Sequence, residues 1–292
     1  MKALVYIEKK DGSPIGTSLE LITAANALGA DITAVSAAVP AECIDEDIVT
    51  SAVVAEARDG GYDIVLFTAN TLGKIVAPRV AARLQAGSVN DAIEIAADGD
   101  GFCVVRPVYG GTAQEKIGIA GKAVISVRGG SYEAAESAPE IKEITAPDAD
   151  EIKIKILEAI AEAGEAANLE DATIIVAGGR GMGSEEDFAL CGELADLLGG
   201  VVGATRPAIE NGWINRTHQV GQSGKIVAPD LYIACGVSGA TQHVSGMSGS
   251  KYIIAINKDE EAPIFEVADI GIVGDAKKIL PLMIEEFKKR KS

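Results

Sequence analysis

Short, continuous apolar runs recur along the whole chain, among them KALVYI, ITAVSA, DIVLF, AVISV, TIIVA, LYIAC, YIIAI and IGIV. Segments of helical spacing lie between most of them. A strand that is apolar at every position is covered on both faces, as in a parallel sheet between two helix layers. The expected fold class is α/β in two domains, each a mainly parallel sheet flanked by helices. Aromatic residues make up only 4% of the 292 residues, so Ala, Ile, Val and Gly must fill the cores. A chain of this length has enough apolar surface to bury two cores.

In the first half, strands are expected at Met1–Ile7, Asp31–Ala37, Tyr62–Thr68, Gly101–Val108 and Ala123–Arg128. Helices are expected over Ser18–Leu28, Ile48–Arg58 and Val76–Leu84, the last starting near Pro78. Ser131–Asp150, with Pro139, Pro147 and many acidic and Ala residues, reads as an extended connector, and Ile152–Ala167 as a helix. A second α/β run follows. Its strands fall near 172–177, 200–204, 230–235, 252–256 and 270–273, and its helices near 185–198, 241–247 and 276–290. The boundary belongs within 150–170, giving domains 1–165 and 166–292. The hexapeptide GKIVAP occurs at both Gly73–Pro78 and Gly224–Pro229, which is too short to establish a repeat.

Several function classes are disfavoured. The net charge of −17 argues against nucleic acid and against an anionic membrane surface as partners. No apolar run approaches the ~20 residues that span a bilayer, and MKALVYIEKKDG reads as a strand and turn rather than a secretion signal. A cytoplasmic protein with no transmembrane segment is expected. Cys43, Cys103, Cys191 and Cys235 form no CxxC, and Cys103 and Cys235 read as buried small hydrophobes. With two histidines, no GxSxG serine and no HExxH, neither a catalytic set nor a metal site is expected.

Binding chemistry concentrates in Val220–Asp259, where two strand-like runs enclose a Gly/Ser-rich loop bearing Gln242 and His243. Such a loop lets backbone N–H groups approach a phosphate or a flat cofactor. In SGATQH, Ser and Gly supply a helix cap and free N–H donors, and His243 is either structural or a ligand contact. GGRGMGSEEDF, after TIIVA, is either a tight strand-to-helix turn or a phosphate cradle, with Arg180 favouring the latter. Strand Val201–Ala204 ends in Thr205–Arg206, at the carboxyl edge where open α/β sheets hold ligands. Trp213 reads as packing and His218 as an exposed residue of NRTHQ.

In order and spacing, GGRGMGSEEDF, ATRPAIENGW, VGQSGKIVAPDLYIACGVSGATQH and AINKDEEAPIFEVADIGIVGD resemble the FAD domain of the electron transfer flavoprotein alpha subunit family. SLELITAA, TLGKIVAPRVAARL and RPVYGG extend the resemblance into the first half. It implies a Rossmann-like FAD-binding C-terminal domain and an N-terminal domain that contacts a beta subunit in a heterodimer. It also implies electron shuttling from an acyl-CoA or other flavin dehydrogenase, a transient partner, to a further acceptor. The FAD contacts it implies are Arg180, Thr205, Arg206, Val220, Gly221, Gln222, Ser223, Ser238, Gly239, Ala240, Thr241, Gln242, His243, Asn257, Asp275 and Ala276. In that frame Arg206 and a His243 N–H would stabilise negative charge at flavin N1 and the C2 carbonyl, and the Ser223 hydroxyl would bond N5. The first turn after Gly239 would face the pyrophosphate. ENGWI, Glu210–Ile214, resembles the branch that includes electron-bifurcating members, so an alpha subunit of an NADH:ferredoxin complex is the alternative reading.

Overall fold

The computed structural model describes residues 1–10, 12–39, 45–147, 169–170 and 172–291. Cys43, Asp150 and the helix expected over Ile152–Ala167 lie outside the described residues. The chain divides into two compact units, Met1–Ala163 and Gly164–Ser292.

The first unit runs β1 (Lys2–Tyr6), a two-residue ribbon of β2 (Lys9–Lys10) and β3 (Ser13–Pro14), α1 (Gly16–Ala27), β4 (Asp31–Ala37), α2 (Asp45–Gly60), β5 (Ile64–Thr68) and α3 (Thr71–Leu84). It continues through β6 (Gly87–Ala92), β7 (Glu94–Asp98), β8 (Gly101–Val108), β9 (Ala113–Ile119), β10 (Ala123–Val127) and β11 (Ile141–Ile144). The main sheet has the order β11-β4-β1-β5-β10-β6 and every pairing in it is parallel. Successive residues of β1 serve opposite cores: Val5 packs with Leu21 and Ala25 of α1, Leu4 with Val53 of α2 and Val80 of α3.

Three expectations are corrected here. First, α3 begins at Thr71, not near Pro78, because Asn70 caps it by accepting from Gly73 N at 2.9 Å. Pro78 sits inside the helix, where it cannot donate to the Lys74 carbonyl; Asn90 Nδ2 donates there instead, at 3.3 Å. Second, the expected connector is part of the unit. Ile141–Ile144 adds a parallel edge strand to β4, and buried Glu20 accepts from Gly130 N and Tyr132 N. Third, β7, β8 and β9 form an antiparallel sheet in which Cys103 is half-buried, not buried.

The second unit runs β12 (Ile174–Gly178), α4 (Glu185–Leu198), β13 (Val201–Ala204), α5 (Arg206–Glu210), β14 (Leu231–Cys235), α6 (Thr241–Val244), β15 (Tyr252–Asn257), β16 (Ile270–Val273) and α7 (Ala276–Lys291). Its sheet order, β13-β12-β14-β15-β16, is again wholly parallel. Ser184 starts α4 by accepting from Asp187 N, and Gly199 ends it in the left-handed conformation. Val176, Ile233 and Ile256 face α4 and α7, whereas Ile175, Tyr232, Ala234 and Ala255 face Val220, Val237, Met247 and Ile264. Ile233 lies at the centre of the middle strand and is 1% exposed. Ile233→Ala is expected to cost about 2–5 kcal/mol, read as a lowered denaturant midpoint of the second unit.

Candidate functional site

After β12 the chain adds β13 on one side, then crosses to place β14 on the other, which opens a crevice outside the carboxyl ends of β12 and β14. Two glycine turns line it. Gly179 N donates to Cys235 O, and Gly181 N to Gly236 O, both at 2.9 Å. Gly236 has φ of 62°, and a Cβ there would lie 2.8 Å from the carbonyl carbon of Gly181. Only glycine permits this approach. The result is a floor of bare backbone.

One wall is the 219–224 loop, tied to the β13 end by Val220 N donating to Ala204 O at 2.9 Å. It is tied to α6 by Gln222 N donating to Gln242 O at 2.7 Å. Gly221 has φ of 137°, and a Cβ on it would meet Gln242 O at 2.8 Å. The enclosed cleft has a volume of about 840 Å³, within the usual range for small-molecule sites. All the residues expected at the site line it except Gly239 and Thr241. Gly239, at φ of 87°, is buried beneath the backbone of Ile264, and Thr241 is exposed.

The polar groups are held with specific valences free. The Thr205 hydroxyl is buried in the cleft wall without a hydrogen-bond partner. Such an orphan costs roughly 1–3 kcal/mol unless a ligand satisfies it. Gln219 Nε2 donates to Ser223 Oγ at 2.8 Å, which leaves the serine's own proton free for an acceptor in the cleft. Asn257 is occupied on both ends, donating to Val237 O at 2.8 Å and accepting from Asp259 N at 3.0 Å. Arg206 opens α5 and pairs with Glu210 through Nε at 2.7 Å; the pair is exposed and worth little, so its other N–H groups remain available. Arg180 and Lys258 line the cleft with no ion pair among the described residues, and Asp259 and Asp275 line it too. With Arg206 the lining carries three cations beside two carboxylates, in a chain of net charge −17.

His243 lines the cleft and is bonded to the protein on both sides of its ring. Its Nδ1 lies 3.0 Å from Val220 O and its Nε2 2.9 Å from the hydroxyl of buried Tyr232. Both ring nitrogens are therefore engaged by the protein and neither offers a free N–H to the cleft. Burial pushes its pKa down to about 4, against the opposing bond to Val220. The helix expected over 241–247 is one turn, Thr241–Val244, with Ala240 rather than a serine at its cap and no side-chain cap. His218 is half-buried, not exposed, with Nδ1 2.8 Å from Val202 O. Trp213 packs against Phe188 at 6.1 Å between ring centroids.

Residues 168–248 match the electron transfer flavoprotein FAD-binding domain and residues 40–152 the electron transfer flavoprotein domain. The electron transfer flavoprotein subunit alpha of Thermoanaerobacterium thermosaccharolyticum is 45% identical over 80% of this chain and 74% of its own. That of Mycobacterium leprae is 38% identical over 99% of both chains, and that of Clostridium acetobutylicum 36% identical over 97% and 96%. This chain belongs to the electron transfer flavoprotein alpha subunit family.

Members of this family pair with a beta subunit, and the cofactor to be tested against the cleft is FAD. The residues fit it. Arg180, Arg206 and Lys258 in the lining suit its phosphates, and the Thr205 hydroxyl without a partner and the Ser223 proton supply unspent hydrogen-bonding capacity. No helix among the described residues is long and apolar enough to cross a membrane. Sequence reasoning missed Gln219, Gly236 and Lys258, which also line the cleft. Gln219 was legible only as the residue four before Ser223, a spacing without meaning until the 219–224 loop closes on itself.

Because burial holds the His243 pKa below its ordinary 6.5, at about 4, the folded state lacks a proton that the unfolded state takes up. The stability this gives is full above pH 6.5 and is lost as pH falls through about 4. A shift of that size corresponds to an upper bound on the order of 3 kcal/mol. Denaturation of wild type and of His243→Asn at several pH values is expected to show their stability difference shrinking over that window.

Proposed function

We propose that this chain binds one FAD in the cleft of its second unit. Paired with a beta subunit, it passes electrons from a soluble acyl-CoA or other flavin dehydrogenase to a downstream acceptor. The observation that carries the site assignment is the cleft at the switch point of the sheet, lined by Thr205, whose buried hydroxyl lacks a partner, and by Ser223 with its proton unspent.

When bound, the flavin supplies the redox chemistry, and negative charge grows at N1 and the C2 carbonyl as it takes up electrons. The chain's part is to bind, orient and balance that charge. Arg180 and Arg206 bring fixed positive charge to the cleft mouth. Ser223, turned by Gln219, holds a proton for an acceptor atom, the role that flavin N5 would fill. The turns at Gly179–Gly181 and Gly236 lock against each other and fix the cleft edge on which a pyrophosphate would lie. The backbone of 220–222 and the Gln242 carbonyl form a fixed edge against which a flat ring can seat.

Purification of the chain with its partner is expected to yield one tightly held FAD in this subunit; a complex that stays colourless after added FAD refutes the reading. Ser223→Ala removes one neutral hydrogen bond and is expected to weaken FAD binding about 3- to 10-fold, measured by flavin fluorescence. Arg206→Ala is expected to lower the flavin reduction potential in dye-equilibrium titration, and an unchanged potential removes that role.

A further inference from the structure

His218 lies outside the cleft, and nothing in the function proposed above uses it. It closes a short 3-10 turn, Arg216–His218, that returns the chain to β13, the edge strand of the second sheet. An edge strand presents every second carbonyl to no strand partner. Thr205 N donates inward to Gly178 O at 3.1 Å, so by the two-residue period of a strand the carbonyls of Val202 and Ala204 point outward. Val220 N donates to Ala204 O at 2.9 Å, within a parallel bridge between Ala204 and Gln219. At the neighbouring outward carbonyl a side chain takes the place of a backbone amide: His218 Nδ1 lies 2.8 Å from Val202 O. A carbonyl carries no hydrogen, so Nδ1 is the donor.

We propose that His218 is a positioning residue of the cleft wall: its imidazole serves as a surrogate rung that fixes the register of residues 218–220 on the outer edge of β13 and so places the 219–224 loop. Register decides which side chains of this segment face inward. Gln219 is buried, and from there its Nε2 holds the Ser223 hydroxyl at 2.8 Å. Its carbonyl accepts from Lys225 N at 2.8 Å and closes the loop on itself. Val220 and Gly221, which follow, line the cleft. A slip of one residue along β13 would turn Gln219 to the other face and take Ser223 with it. The clamp acts from behind the wall and touches no ligand. It stands without the flavin; only its effect on cofactor affinity rests on the FAD reading above.

Three substitutions separate the clamp from mere packing. Asparagine puts an amide nitrogen at the branch position of Nδ1, glutamine carries it one bond farther out, and leucine has none. Wild type, His218→Asn, His218→Gln and His218→Leu are each assembled with the beta subunit. Hydrogen exchange at the Val220 amide is read by mass spectrometry over peptides covering 216–224, with and without FAD. Exchange is expected to quicken about 3- to 10-fold in the Gln and Leu variants, as the loss of one neutral hydrogen bond requires, and to stay near wild type in the Asn variant. The dissociation constant for FAD, from flavin fluorescence, rises by the same factor in the same two variants, and asparagine restores it. Exchange at Ile233 and Ala255, in the middle of the sheet, does not change, which distinguishes a loosened loop from a weakened domain. If the Leu variant does not fold, the contrast between Asn and Gln carries the test. Val220 exchange that is alike in the Asn and Gln variants, or FAD affinity that does not follow it, overturns the proposal. The expected exchange pattern in a chain that retains no FAD would refute the flavin assignment and leave the clamp standing.

Discussion

The cleft depends on two backbones lying against each other with no side chain between them. Gly179 and Gly181 meet Cys235 and Gly236 in a short ladder at the ends of β12 and β14. A methyl group at Gly236, Gly179 or Gly181 would come within 2.8 Å of the opposing backbone. The parallel register that brings Gly178 beside Cys235 sets where those turns begin. Strand pairing, driven by the burial of residues such as Val176 and Ile233, therefore fixes the floor of the site. The site in turn needs no flexible side chain to shape its deepest part.

On that floor the functional polar groups are placed from behind, by buried partners. Gln219, 4% exposed, holds Ser223; Tyr232, 0% exposed, holds His243; Asn257 ties the turn after β14 to the loop after β15. Each of these bonds removes one valence of a cleft residue and so decides which valence is left to a ligand. Ser223 keeps its proton; His243 keeps none. Two side chains on one segment, expected from the resemblance to serve different atoms of one ring system, are held by the protein in unlike ways.

The fold was legible because its signal is composition along short runs. DIVLF and YIIAI can be satisfied only by burial on both faces, whatever lies elsewhere in the chain. Element ends were less legible where a distant side chain sets them. Asn90 satisfies the carbonyl that Pro78 leaves unpaired and so lets α3 run through a proline. GKIVAP shows the same point, being helical at Gly73–Pro78 and non-helical at Gly224–Pro229. Ile141–Ile144 lies in a Pro-flanked, acidic stretch, and only pairing with β4 makes it a strand. In the cleft, glycines and charges at strand ends carried their own signal, so Arg180, Thr205 and Arg206 were placed together. The hydrogen bonding of His243 was not legible, because its partners are a tyrosine that reads as core and a carbonyl 23 residues away.

The two units share the crossover about their first strand and differ in what they put at that switch point. In the first unit the chain also builds β4 on one side of β1 and then crosses to β5 on the other. There the strand ends carry side chains that bond one another. Asn70 Nδ2 donates to both carboxylate oxygens of Glu8 at 2.9 Å, and Ser18 Oγ lies 3.4 Å from Thr68 Oγ1. A carboxylate sits where the second unit has glycine turns flanked by arginines. A phosphate entering the first crevice would meet negative charge and a closed hydrogen-bond network. In the second it meets Arg180, Arg206 and the unspent proton of Ser223. The parallel fold supplies a crevice in both units, and a handful of residues at the strand ends decides which one accepts an anion.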